Sequence, residues 1–158
     1  MTARALTTSL LAAVLLLGVL GCSKPEAVSP TLSTGLFLLD GVAVPCRATA
    51  TRGVSSLNGT IYDFLYLDLT PDRTAGDLGQ LRLNLYKVPG SPASTYLLLN
   101  LLVYTAGKGS PYPFDGTAFT LAEAGAGTFS GTFSGVAKGS APGPYTALTN
   151  GVFSNVRF

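Results

Sequence analysis

The side chains able to move protons, attack carbonyls or bind metals are scarce in this sequence: eight Asp and Glu, two Cys and no His among 158 residues. Without His, neither a Ser-His-Asp nor a Cys-His nucleophile arrangement can be assembled, and a metal would find only carboxylates and carbonyl oxygens as ligands. Two cysteines are too few for a zinc site. Paired carboxylates are the remaining route to acid–base chemistry, and their spacing works against it. Asp63 and Asp68 are five residues apart in an alternating stretch, which puts them on opposite faces of a strand, where they cannot act on one bond. Asp72 and Asp77 fall in Thr70-Pro71-Asp72-Arg73-Thr74-Ala75-Gly76-Asp77. That loop lacks the ligand alternation and distal Glu of an EF-hand and reads as a solvated turn between strands. No Ser-x-x-Lys spacing supplies a serine with an activating base. The residues therefore predict no enzyme, no cofactor and no metal. With a net charge of +2 and scattered basic residues, they also predict no nucleic-acid partner.

The position with the most specific chemistry is Cys22. Residues 1–21 carry one positive charge at Arg4, then an apolar run from Leu10 to Leu20, which reads as a secretory signal too short to remain a membrane span. Its ending, Val19-Leu20-Gly21-Cys22, resembles the lipobox of bacterial lipoproteins. The resemblance implies cleavage before Cys22, diacylation of its sulfur and acylation of the new amino group, and so a membrane partner reached through lipid. Buried acyl methylenes contribute ~0.8 kcal/mol each, and two chains suffice for stable attachment. Lipidation leaves Cys46, in phase with Val42 and Val44, as a small buried hydrophobe. In a plain secreted chain cut nearby, Cys22 would instead be free to pair with Cys46. Ser23 stands where Asp would retain a lipoprotein in the inner membrane of well-studied Gram-negative bacteria, which implies the outer membrane. Lys24-Pro25-Glu26 is too short to distinguish the periplasmic from the surface face.

Two strand faces are candidates for binding. Tyr62, Phe64 and Tyr66 share one face of an alternating run and are possible ligand-facing aromatics, either a stacking platform for carbohydrate or cross-strand packing. In Gly127-Thr128-Phe129-Ser130-Gly131-Thr132-Phe133-Ser134-Gly135, the glycines and phenylalanines share one face and the hydroxyls the other. Packing of Phe over Gly, with sheet coiling, is the first reading. A hydroxyl-lined ice or sugar surface is the second.

The elements that must position these residues are strands. Of all residues 47% are hydrophobic and 11% charged, with 19 Gly and 10 Pro, and one domain accommodates the length. The domain plan is a signal over 1–21, a lipidated amino terminus and linker over 22–33, and a β domain over 34–158. Gly35 to Leu39 and Val42 to Thr51 flank Asp40-Gly41, a hairpin pair; Asn58-Gly59 is a second turn. Thr60 to Thr70 and Gln80 to Val88 alternate. Thr95 to Thr105 is apolar nearly throughout; Ser94 would cap a helix there, but Tyr96, Val103 and Tyr104 favour strand, with Asn100 as a break. Thr117 to Leu121, Gly127 to Ala137, Tyr145 to Thr149 and Val152 to Phe158 complete the pattern, the last two joined across Asn150-Gly151. The expected fold is all-β, a single antiparallel β-sandwich or small β-barrel of about 8–10 short strands. A membrane-spanning barrel needs strands of ~9–11 residues, longer than several of these.

The segment from Gly131 to Ala137, followed by Leu148-Thr149-Asn150-Gly151-Val152-Phe153-Ser154-Asn155-Val156-Arg157-Phe158, resembles the ending of a group of small Bacteroidetes outer-membrane lipoproteins. Those chains run Gly-x-Phe-x-Phe-x-Ala, a loop, then Thr-Asn-Gly-x-Phe-x-x-Val-x-Phe or Tyr; Gly135 stands here where the second aromatic is usual. The resemblance covers about the last 30 residues and implies an antiparallel β domain on the outer membrane, with no activity and no site residue. Three functions follow: a non-enzymatic structural or binding module of the cell envelope; a lipocalin-like barrel carrying a small apolar ligand, with Thr60–Thr70 and Thr95–Thr105 lining its cavity; or, against the scarcity of chemistry above, a hydrolase whose carboxylate site would need two of Asp63, Asp68, Asp72, Asp77, Asp115 and Glu123 to converge in a cleft.

Overall fold

Two Asx-Gly pairs turn the chain back on itself as the sequence requires. Asp40 and Gly41 take φ of 49° and 83°, and Asn58 and Gly59 take 52° and 80°, the double positive φ whose twist matches that of the flanking strands. The computed structural model describes residues 33–73, 76–125, 127–139 and 143–158; Cys22, the expected signal over 1–21 and all of the expected linker but Ser33 lie outside them. Eight strands follow in order: β1 (Thr34–Leu39), β2 (Val42–Leu57), β3 (Thr60–Pro71), β4 (Leu78–Lys87), β5 (Leu97–Thr105), β6 (Tyr112–Glu123), β7 (Thr128–Ala137) and β8 (Ala147–Arg157). Each pairs antiparallel with the next, and β1 pairs with β8 to close a barrel. Of the two expected architectures, the barrel is the one formed.

Closure follows from what the inner faces carry. Phe37 on β1, Leu65, Leu67 and Leu69 on β3, Leu81, Leu83 and Leu85 on β4, Leu101 and Val103 on β5, Phe114, Phe129, Phe133 and Phe153 are all at most 2% exposed. Eight strands leave an interior just wide enough for side chains of this size to fill. The inner faces of β3 and β5 contribute Leu65, Leu67, Leu69, Leu101 and Val103 to this core. Pairing of β1 with β8 is fastened by Asp40, whose carboxylate accepts from the Thr146 and Ala147 amides and the Thr146 hydroxyl, while its own amide donates to the Ala147 carbonyl.

Strand lengths exceed the sequence-based expectation: β2 has 16 residues, β3 and β6 have 12, and only β1 is shorter than 9. Length alone thus no longer argues against a membrane-spanning barrel, but polarity does. Such barrels are apolar outside and polar inside, whereas here leucines and phenylalanines fill the interior and Arg47, Asp68, Arg82, Asp115 and Arg157 alternate onto the outer wall.

Two segments depart from expectation. Thr95 to Thr105 is a strand as expected, but it begins at Leu97, after a 3-10 turn at Ala93–Thr95 that contains Ser94. Asn100 does not break it: the chain bulges beside Asn84 and Leu85, and the register shifts. The second departure corrects the sequence reading: Asn150-Gly151 does not join two strands but lies inside β8. Asn150 alone takes a positive φ, 50°, and Gly151 does not, so the pair forms a bulge, and β8 shifts register against both β1 and β7 there.

The ends of the barrel are distinguishable. At the end where β1 begins, called the entry end, lie the β2–β3, β4–β5 and β6–β7 connections and the finish of β8; the other four connections lie at the far end.

Candidate functional site

The aromatic ladder lies on the outer wall. Because Leu65, Leu67 and Leu69 point inward, alternation sends Tyr62, Phe64, Tyr66 and Asp68 outward. Phe64 is 7% exposed, its ring stacked on Tyr66 at 5.9 Å and tilted against Tyr86 at 6.3 Å. Tyr62 meets Tyr86 edge-on at 5.3 Å. Phe64 is therefore packing, while Tyr62, Tyr66 and Tyr86 remain half-buried with part of each ring in water. Tyr66 lies over Gly53 of β2, where a Cβ would stand 3.2 Å from its ring. The opposite face of β3 being core, no second sheet covers this one among the described residues.

Polar groups are interleaved with these rings. Arg82 grips Asp68 with two bonds, Nε to Oδ1 at 2.6 Å and a terminal nitrogen to Oδ2 at 2.9 Å, the bidentate geometry in which such pairs are strongest. Its guanidinium is 5.8 Å from the Tyr66 ring centre and 5.9 Å from that of Tyr104. Beside them Asn84 donates to Asn100 at 2.6 Å across β4 and β5. The outer wall of β3–β5 thus alternates ring faces with amide, guanidinium and carboxylate groups held by cross-strand partners.

The entry end holds a second cluster. A cleft of about 440 Å³ there is lined by Arg52, Asp63, Lys87, Tyr96, Glu123 and Phe129. Lys87 donates to Asp63 at 2.8 Å, and Arg52 lies 4.0 Å from Glu123 and 3.7 Å above the Phe158 ring. Burial pushes the Tyr96 phenol above its ordinary value; Arg52 opposes the shift, and Asp63 and Glu123 add to it. The sequence carried a signal for this cluster, since Lys87 is in phase with Leu81, Leu83 and Leu85, and Asp63 with Leu65. Charges in phase with an apolar stripe belong at its water-facing end. Asp63 and Asp68 do fall on opposite faces, as their spacing dictates, and each is tied to its own cation.

Of the carboxylates, Asp63 and Glu123 share the entry cleft, each beside its own cation, and the other acidic groups among the described residues are similarly engaged. Asp72 pairs with Arg47 at 3.3 Å, Asp115 with Lys138 at 3.3 Å, and Asp77 accepts from the Tyr145 hydroxyl at 2.5 Å. Burial and that bond raise the Tyr145 phenol to about 12. Asp72 and Asp77 thus face different partners; residues 74–75 between them lie outside the described set. Among the described residues, no three of His, Cys, Asp and Glu gather as metal ligands. A far-end cleft of about 550 Å³ lies between the β1–β2 turn and Tyr145. On the wall of β6–β8, Thr117 bonds Ser134 and Thr120 bonds Thr132, both at 2.7 Å, so these hydroxyls satisfy one another.

No protein-family model, no curated protein and no solved structure matches this chain.

Proposed function

We propose that this chain is a non-enzymatic module of the outer membrane, held by acyl groups on Cys22, which binds a glycan across the outer wall of β3–β5. The observation that carries this reading is the inversion of roles between the two faces. The interior is filled by leucine and phenylalanine, while Tyr62, Tyr66, Tyr86 and Tyr104, interleaved with Asn84, Asn100, Arg82 and Asp68, stand outside. Sugar rings present C–H faces that stack on aromatic rings and hydroxyls that bond amides and charged groups, and this wall offers both along strands long enough for several sugar units. The bacterial lipoprotein group resembled by the carboxyl-terminal segment is consistent with an envelope location.

Two experiments test the parts separately. Growth with a palmitate analogue should label the wild-type chain and not Cys22→Ala; label on the variant overturns the anchor. Affinity electrophoresis of the full chain through a panel of envelope polysaccharides should retard the wild type and release Tyr66→Ala and Tyr86→Ala, with affinity reduced about tenfold or more, the order of one lost stacking contact. Equal retardation of all three, or of none, overturns the glycan platform.

A carrier role keeps one supporting observation, the 440 Å³ cleft at a barrel mouth. Its charged lining and the filled barrel beneath it favour the wall.

A further inference from the structure

The outer wall of β3–β5 carries charge in one place. Among the described residues, the outward-facing positions of these strands hold a single acid, Asp68, and a single base, Arg82, directly opposite each other across β3 and β4. The remainder are aromatic rings, amides, hydroxyls and aliphatic side chains. Because Arg82 holds both oxygens of Asp68, at 2.6 and 2.9 Å, the two charges offset each other in the strongest geometry open to such a pair. On the neighbouring β2, Arg47 is likewise committed, 3.3 Å from Asp72. The wall thus offers a ligand rings and hydrogen-bonding groups without an unmatched charge.

The Asp68–Arg82 pair also stands where a stacked ligand must cross it. The Arg82 guanidinium lies between Tyr66 on β3 and Tyr104 on β5, 5.8 and 5.9 Å from their ring centres. Adjacent strands are ~4.8 Å apart, so a run of sugars resting on both rings passes over Arg82. Its side chain is 36% exposed and that of Asp68 only 14%; the ligand therefore meets the guanidinium, whose outer N–H groups can donate to sugar hydroxyls, while the carboxylate beneath already accepts two bonds. An acidic sugar would have to compete with Asp68 for the guanidinium and, on winning it, would leave a largely covered carboxylate without its cation. An uncharged sugar meets neither obstacle.

We propose that the β3–β5 wall selects uncharged glycans over acidic ones, with the Asp68–Arg82 pair turning acidic sugars away and Tyr104 serving as the second stacking platform beyond it. This inference rests on the glycan reading of the wall and adds to it the class of sugar.

The test is retention of the full-length chain, in detergent, on columns carrying mannan or laminarin, which are uncharged, or polygalacturonate, which has a carboxylate on every sugar. The wild type should be held by an uncharged column and pass through polygalacturonate. Raising NaCl from about 20 mM to about 500 mM should change that retention by less than about twofold, since no net charge is involved. Tyr104→Ala should weaken it about tenfold or more, the order of one lost stacking contact. Asp68→Asn keeps the shape of the side chain and releases the Arg82 charge; it should stay on the uncharged column and gain retention on polygalacturonate that salt abolishes, and the further change Arg82→Gln should remove the gain. Wild type passing through all three columns overturns the glycan platform and this inference with it. Wild type held more tightly by polygalacturonate than by either uncharged column, and released from it by Tyr66→Ala, overturns the selection while leaving the platform. Asp68→Asn held by an uncharged column but not by polygalacturonate overturns the role of the pair.

Discussion

Cys46 points into the barrel opposite Gly35, whose missing Cβ would otherwise stand 2.8 Å from the thiol sulfur. Burial, reinforced by the charge of Asp72, raises that thiol to about 12, and since only the thiolate attacks, the native protein should be inert to thiol reagents. Ellman's reagent is expected to leave the folded chain unmodified at pH 8 and to titrate Cys46 fully in denaturant; rapid reaction in the folded state would contradict the packing. Asp40 is perturbed in the opposite direction to a buried acid. Burial raises its carboxyl, but the Thr146 hydroxyl and the Ala147 and Thr146 amides outweigh that and hold it below 3.8. A folded value below the unfolded one means that the carboxylate's contribution to stability is complete above the unfolded value and lost as pH falls through the folded one. The wild type should therefore exceed Asp40→Asn in urea midpoint at pH 7, and the gap should close below about pH 4. A gap independent of pH would mean that the charge at the barrel seam is irrelevant.

At the scale of the strand, the alternation of Gly with Phe in β7 is the feature whose meaning the structure makes concrete. Phe129, Gly131, Phe133 and Gly135 do share the inner face, whereas Gly127 precedes the strand in a turn with φ of 81°; each inner glycine accommodates something specific: a Cβ on Gly131 would run into the Thr120 carbonyl and stand 2.7 Å from the Phe153 ring, and one on Gly135 would stand 2.6 Å from Leu101. Gly135, where the resembled lipoproteins carry an aromatic, is thus where Leu101 fits. Gly131→Ala should destabilise the barrel by about 3 kcal/mol, the upper part of the overpacking range. Gly109→Ala, with open space around it, should change stability by less than about 0.5 kcal/mol; equal midpoints for the two in urea would refute the account. Most of the strand plan was legible because periodicity of two and Asx-Gly turns are local signals. Asn150-Gly151 misleads because the same dipeptide serves a hairpin or a bulge according to whether the second residue also takes positive φ. Partners from β1 and β7 on both sides decide that, not neighbours in sequence. The site was legible in part for the same reason: alternation placed Tyr62, Phe64 and Tyr66 on one face, but that Tyr66 and Tyr86 bury Phe64 depends on cross-strand register.

For the molecule as a whole, sandwich and barrel share one strand pattern, and the choice turns on whether the first strand meets the last. That contact joins residues more than a hundred positions apart, through Asp40 and the Thr146–Ala147 amides, and no local signal announces it. Once closed, the barrel is as strong as its filling. Leu67 and Leu83 face each other across β3 and β4, and both are fully buried, so truncating either leaves a void that eight hydrogen-bonded strands cannot collapse around. Leu83→Ala should cost about 3–4 kcal/mol, within the range for buried leucines, read as a lower urea midpoint at unchanged slope. Leu67→Ala combined with Leu83→Ala should fall short of the sum of the two, because the residues share one cavity. The same pair distinguishes a packed module from a carrier. A fluorescent fatty acid at micromolar concentration should not bind the wild-type interior. If it binds the wild type and is lost on substituting Leu67 or Leu83 with Phe, the interior takes up ligand, and the outer wall is no longer the place to look for this protein's partner.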